Sequence, residues 1–207
     1  MEYYIYDCPL FVFKEPPSDQ VDLSEFAKEL EEIIPAALIE NIDVVYIGDF
    51  PNLKGKNAAY DDGAIYITYK EPTNADMIEN VVHEIAHSLE PKYGIFIYEQ
   101  DLQKEFRGKR ERLRVLLNQK GHKIPKKFYN HIEYNKTFDE FLSDTVGYPL
   151  LLNLTMGLFA SPYGATSLQE YYANGFEKYL LGQSELVKKV SPVLYTKIDE
   201  MVKDATR

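Results

Sequence analysis

The chain has 207 residues, one cysteine and a formal net charge of −10 at pH 7. The length fits one domain, and the single thiol of Cys8 excludes a disulfide within the chain. The negative charge argues against non-specific binding of nucleic acid or anionic membranes by the whole surface. We see no secretory signal and no apolar tract long enough to span a bilayer. We therefore expect a soluble protein that is cytoplasmic or part of an assembly.

Hydrophobic periodicity and turn residues predict more helices than strands. Strands are expected at 3–6, 10–14, 43–47 and 64–69, and helices at 22–34, 73–90, 97–118, 137–146, 167–181 and 184–204. Pro91 is expected to end the helix that starts at residue 73. The expected fold class is α+β, helix-dominated, with a small sheet in the N-terminal half. We expect a single domain over 1–207, strand-rich at 1–72 and helical at 73–207, with the metal site in the helical part.

The helix predicted at 73–90 carries the motif His83-Glu84-Ile85-Ala86-His87. The two histidines are four residues apart, so they lie one turn apart on one face of a helix. Imidazoles at this spacing can bind one zinc ion. Glu84 is adjacent to the first histidine and is placed to take a proton from a metal-bound water. The motif therefore predicts a catalytic Zn²⁺ site with Glu84 as general base.

A catalytic zinc ion usually takes three protein ligands and leaves one position for water. Two later helices offer a carboxylate as the third ligand, with a second polar residue one turn further on. One pair is Glu140 with Asp144, and the other is Glu170 with Asn174. Either second residue could orient an imidazole N–H. Spacing alone leaves both carboxylates open.

The segment Tyr163–Phe176 resembles the C-terminal catalytic segment of the anthrax lethal factor-like zinc endopeptidases, a group that includes the secreted Pro-Pro endopeptidases. The resemblance rests on the H-E-x-x-H motif, on a tyrosine seven residues before a glutamate, and on the aromatic helix that follows. It covers roughly residues 64–181. It implies a zincin-like metalloprotease domain that cleaves a protein or peptide substrate.

When the roles of the family's residues are carried over by position, the resemblance implies that His83, His87 and Glu170 are the metal ligands. It implies that Glu84 is the general base. It gives Tyr163 the role of polarising the scissile carbonyl. Asn174 stands where the family usually has an acid. We expect its amide oxygen to accept a hydrogen bond from a ligand histidine.

The strand predicted at 64–69 follows a tight turn at Asp61-Asp62-Gly63 and comes just before the metal helix. In one interpretation it is an edge strand beside the active site, to which an extended peptide adds by β-augmentation. In the other it is an ordinary internal strand.

The sequence leaves two functions open. The protein is either a zinc-dependent endopeptidase, or a non-catalytic structural or binding protein that keeps a zincin fold and a zinc site.

Charge is distributed unevenly along the chain. Residues 104–127 hold ten Lys or Arg and two acids, which leaves 13 basic and 31 acidic residues elsewhere. This segment is either a solvated helix and loop or a docking patch for an acidic partner. His122 and His131 have no partner at ligand spacing, so we interpret both as surface or packing residues.

Overall fold

A computed structural model describes residues 3–207 and confirms an α+β chain in which helices dominate. The strands are β1 (Tyr3–Ile5), β2 (Cys8–Val12), β3 (Val44–Gly48), β4 (Ala58–Asp61) and β5 (Ala64–Thr68). The helices are α1 (Leu23–Ile33), α2 (Asn74–Ile97), α3 (Gln100–Gln119), α4 (Lys127–Asn130), α5 (Lys136–Glu140), α6 (Tyr148–Thr155), α7 (Leu168–Lys178), α8 (Ser184–Val190) and α9 (Pro192–Ala205). Two 3₁₀ turns cover Ala36–Leu38 and Tyr163–Ala165, and a π-helical segment covers Phe141–Gly147. The segment Tyr179–Gln183 contains a kink, where the backbone leaves helical angles at Leu181 and Gly182.

The chain divides into two compact units. The first comprises the residues up to Lys92 together with Glu200–Arg207, and the second comprises Tyr93–Asp199. None of the helices within residues 3–207 combines the length and the apolar character that crossing a membrane requires.

The small sheet in the N-terminal half belongs to the first unit, and its strand order is β1-β2-β3-β5-β4. The pairs β2–β3 and β3–β5 are parallel, whereas β1–β2 and β4–β5 are antiparallel. Of the two interpretations of segment 64–69, the internal strand is the observed one, because β5 lies between β3 and β4, and the interpretation as an edge strand is wrong. The predicted turn is present, with positive φ at Asp62 and Gly63, and it folds β4 back along the outer side of β5. The sequence did not predict β4, because Ala-Ala-Tyr-Asp contains no β-branched residue.

One face of the sheet packs against α1 and α2. Buried side chains from both layers meet there, among them Val45 and Ile65 from the sheet, Leu30 from α1, and Val81 and Ile85 from α2. The apolar residues of α2 recur at helical spacing, so one side of this helix is committed to the core. Its other side is left for the two histidines.

The helix that carries the histidines starts as predicted but does not end at Pro91. The Thr73 hydroxyl accepts a hydrogen bond from the Asp76 N–H at 3.1 Å, which caps the first turn. Proline lacks the N–H that would bond the His87 carbonyl, yet α2 continues to Ile97. Leu89 and Ile97 are both fully buried, so packing on each side of Pro91 keeps the chain helical.

The second unit is helical, and α3 runs through its core. Lys109 and Arg110, two of the ten basic residues in 104–127, are buried on this helix. Both donate hydrogen bonds to main-chain carbonyls: Leu158 and Val190 for Lys109, and Phe128 and His131 for Arg110. The solvated basic surface is therefore smaller than the sequence count suggests.

The helix expected at 137–146 is divided between α5 and a π-helical segment. A further helix, α6, follows where the sequence predicted none. Proline is often a helix stop, but Pro149 stands in the first turn of α6, where a missing N–H costs nothing.

Candidate metal centre

The two motif histidines lie on one side of α2, as their spacing predicted. Their ring centroids are 5.1 Å apart and the ring planes are inclined by 71°. Both side chains are half-buried, whereas Val82, Ile85 and Ala86 are fully buried. The helix therefore presents two imidazoles away from the apolar face that it packs into the core.

His87 is held by a carboxylate of its own helix. Its Nδ1 lies 2.7 Å from Glu90 Oε1, and the exposed fractions of the two side chains are only 21% and 15%. A carboxylate accepts, so Nδ1 carries the proton and Nε2 is the nitrogen with a lone pair for a metal. We did not assign a role to Glu90 from the sequence, although its i+3 spacing from His87 could have indicated one.

The side chain of Glu84 is held in place by a hydrogen bond from the sheet. Its Oε2 accepts a hydrogen bond from the Tyr60 N–H at 2.8 Å, and Tyr60 belongs to the edge strand β4. A carboxylate so anchored keeps its second oxygen for another partner. No spacing rule connects residues 24 positions apart, so the sequence could not have predicted this contact.

Glu170 and Tyr163 come from consecutive turns of the second unit. Ser167 caps α7 by accepting the Glu170 N–H at 3.1 Å, which places Glu170 in the first turn of that helix. The Tyr163 carbonyl accepts from the Thr166 hydroxyl at 2.7 Å, which fixes the preceding turn. Burial raises the pKa of the Tyr163 phenol, and the charge of Glu170 and a hydrogen bond to it act in the same direction.

Three of the expected residues are close enough to share an ion. One potential ligand atom from each of His83, His87 and Glu170 lies within 4.8 Å of the other two. Two imidazole nitrogens and one carboxylate oxygen are a donor set that suits Zn²⁺. The alternative ligand, Glu140, is exposed and lies 3.5 Å from Lys136 in an ion pair.

The expected role of Asn174 is wrong. Its amide nitrogen donates to the Glu170 carbonyl at 2.8 Å, and its amide oxygen accepts from the Ser161 hydroxyl. The residue is buried on α7, where an amide four residues after a carbonyl bonds to the backbone. It therefore supports the turn around Glu170 and does not orient a histidine.

A second tyrosine near this turn was not predicted. The Tyr134 hydroxyl donates to Asp139 Oδ2 at 2.8 Å. Burial raises the pKa of Tyr134 to about 12, aided by Asp139 and by the charge of Glu170. Tyr134 lies in an irregular segment before α5, so no periodicity indicated it.

No family model, curated protein or solved structure matches this chain. The likeness of Tyr163–Phe176 to the lethal factor-like endopeptidases therefore remains a sequence-based expectation. Any assignment of function has to rest on the chemistry of the residues just described.

Proposed function

We propose that this protein is a zinc-dependent endopeptidase with a zincin-like catalytic domain, in which His83, His87 and Glu170 hold one Zn²⁺. The observation that carries the proposal is the 4.8 Å limit on the spacing of their ligand atoms. Zinc–ligand distances of about 2.0–2.2 Å put ligand atoms roughly 3.3 Å apart around one tetrahedral ion. Small side-chain movements would close the difference.

The residues around the proposed ligands suit hydrolysis of a peptide bond. A bound zinc ion would supply the Lewis acidity that activates a water molecule and polarises a carbonyl. Glu84, next to His83, takes the proton of the attacking water and passes it to the leaving amine. Tyr163 donates its hydroxyl proton in a hydrogen bond to the carbonyl oxygen as negative charge develops there.

We also propose that the basic segment 104–127 binds an acidic protein partner. With Lys109 and Arg110 buried, the cations available to it are the solvent-exposed ones: Lys104, Arg107, Arg112, Lys120, Lys123, Lys126 and Lys127. They leave a positive surface on an otherwise acidic chain, which favours encounter with negatively charged proteins.

The bond between Glu84 and the Tyr60 N–H favours a second candidate function. A carboxylate that ties a helix to a strand could serve structure alone, in a non-catalytic protein that keeps the zinc site. The two functions differ in what loss of the Glu84 charge would do, since only an enzyme requires a base at this position.

Replacing Glu84 by glutamine tests the proposal. The amide keeps the size of the side chain and an acceptor for the Tyr60 N–H but is no longer a base. We expect E84Q to retain its zinc and its circular dichroism spectrum, while hydrolysis of a peptide library falls by roughly 10²–10⁴-fold. The exposed carboxylate of Glu32 provides the control, and E32Q should cleave like wild type.

Equal cleavage by wild type and E84Q would contradict the mechanism. Failure of the zinc-loaded wild type to cleave any peptide of a broad library would instead favour the non-catalytic protein.

Metal analysis tests the ligand assignment separately. We expect His83→Ala and Glu170→Ala to lose the ion, because each removes one of three ligands. Glu140→Ala should keep it, since Glu140 pairs with Lys136 on the surface. The ligand set is wrong if Glu140→Ala loses zinc while Glu170→Ala retains it.

A further inference from the structure

A cavity of about 480 Å³ lies in the second unit, within the size range of small-ligand sites in proteins. Its lining residues are Tyr98, Ile132, Glu133, Tyr134, Leu168 and Gln169. Leu168 and Gln169 directly precede Glu170 on α7. The cavity therefore begins within one helical turn of the proposed third metal ligand.

Hydrogen bonds tie the walls of this cavity together. The Leu168 N–H donates to the Ile132 carbonyl at 2.6 Å, which joins the start of α7 to the segment before α5. Arg110, 1% exposed, donates to the carbonyl of His131 and so fixes the residue before Ile132. A cavity held in this way is formed before a ligand arrives, which lowers the entropic cost of binding.

The lining combines an apolar surface with one negative charge. Ile132, Leu168 and the rings of the two tyrosines offer surface to an aliphatic or aromatic chain, whereas Glu133 supplies a carboxylate and Gln169 an amide. Glu133 is exposed and forms no ion pair with any other residue of the range 3–207. A long side chain with a cationic head would match both parts.

The charge of the surrounding chain favours the same ligand. Residues 128–177 contain six acidic side chains and one basic side chain, Lys136. That lysine lies 3.5 Å from Glu140, and it does not line the cavity. Among the residues that line the cavity, the charge is that of Glu133, and a second carboxylate entering the cavity would be repelled by it.

We propose that this cavity binds a lysine or arginine side chain of the peptide substrate, with its methylene groups against Ile132 and Leu168 and its charged head at Glu133. The proposal rests on the endopeptidase function, since a peptide bond held at Glu170 and Tyr163 brings a neighbouring side chain to the cavity. It narrows the substrate class to peptides with a basic residue close to the scissile bond.

Peptides with one varied position test this inference. Lysine, arginine, methionine and glutamate are placed in turn at each of three positions on either side of the cleaved bond. For every peptide, kcat/KM is measured on the zinc-loaded wild type, and Kd is measured by fluorescence anisotropy on zinc-loaded E84Q. At one position we expect lysine and arginine to exceed methionine by about tenfold in both measurements.

Three variants localise the effect, and each is made in the wild type and in E84Q. E133Q should reduce the preference for basic residues to twofold or less, and E133K should reverse it in favour of glutamate. Glu185 is an exposed carboxylate of the same unit outside the cavity, so E185Q should keep the full preference. Circular dichroism verifies that each variant is folded.

The two proposals fail in different ways. Cleavage with equal efficiency for all four residues at every position would overturn the cavity assignment and leave the endopeptidase intact. Binding of basic peptides that depends on Glu133, without any cleavage, would support the cavity and overturn the enzyme. Absence of both binding and cleavage would overturn both.

Discussion

His87 is oriented by a carboxylate from its own helix, whereas the sequence had indicated the amide of Asn174. The difference matters chemically, because Glu90 accepts the Nδ1 proton with a full negative charge and a neutral amide does not. A charged acceptor also raises the basicity of the opposite ring nitrogen, the one left for a metal. Asn174 instead satisfies the carbonyl of Glu170 and the hydroxyl of Ser161.

A pair of alanine substitutions separates these roles. Glu90→Ala should weaken zinc affinity by roughly 10- to 100-fold, measured by competition with a chelator. Asn174→Ala should change zinc affinity less but lower the free energy of unfolding by about 1–3 kcal/mol, because it leaves buried polar groups unsatisfied. A larger loss of zinc affinity in Asn174→Ala than in Glu90→Ala would contradict this division.

Geometry that follows from spacing along one helix or turn could be predicted from the sequence. Helical periodicity predicts that His83 and His87 share one side of α2, as they do, whereas the roles proposed for Glu170 and Tyr163 rest on a short sequence motif. Contacts between residues far apart in the chain, such as the hydrogen bond between Tyr60 and Glu84, leave no such pattern in the sequence. They depend on the hairpin and the sheet being in place first.

Among the elements, long segments with clear periodicity were the predictable ones. The helix expected at 22–34 is observed as α1, where Asp22 accepts the Ser24 and Glu25 N–H groups at its start. β4 and α6 were missed for different reasons, since one has a weak strand composition and the other follows a glycine and contains a proline. The position of β4 then decided which strand forms the edge of the sheet.

Pro91 inside α2 leads to a prediction about stability. Proline costs a helix interior about 3 kcal/mol relative to alanine, while restricting the unfolded chain recovers about 0.4–1 kcal/mol. We expect Pro91→Ala to raise the free energy of unfolding by about 2 kcal/mol in urea denaturation. Pro192 is the matched control, because it stands at the first position of α9, where proline is tolerated.

Pro192→Ala should therefore leave stability unchanged or lower it slightly. A gain from Pro192→Ala as large as that from Pro91→Ala would show that the helix interior is not the cause.

For the whole molecule, Glu71 makes stability depend on pH. This carboxyl is 2% exposed and accepts a hydrogen bond from the Asn80 amide at 3.0 Å. Burial, aided by the charge of Asp76, raises its pKa from 4.5 to about 7. The folded protein thus keeps a proton that the unfolded chain releases near pH 4.5, so stability falls as pH rises from about 4.5 to 7.

Glu71→Gln mimics the protonated form and should remove this loss. We expect the variant to be more stable than wild type above pH 7, by up to about 3 kcal/mol, with the difference vanishing towards pH 4.5. Thermal unfolding across pH 4.5–8 measures it. E32Q, which changes an exposed carboxylate, should follow the wild-type profile, and an identical profile for Glu71→Gln would disprove the role of Glu71.

The hydrogen bond between Glu84 and Tyr60 also affects how copies of the molecule meet in solution. The outer N–H groups of an edge strand are templates on which another chain can add a strand. Glu84 occupies one of them on β4. Glu84→Ala would release it, and size-exclusion chromatography should then show more self-association than for E84Q, whose amide oxygen still accepts. The side chain proposed as the base would thus also prevent the edge strand β4 from pairing with a strand of another copy of the chain.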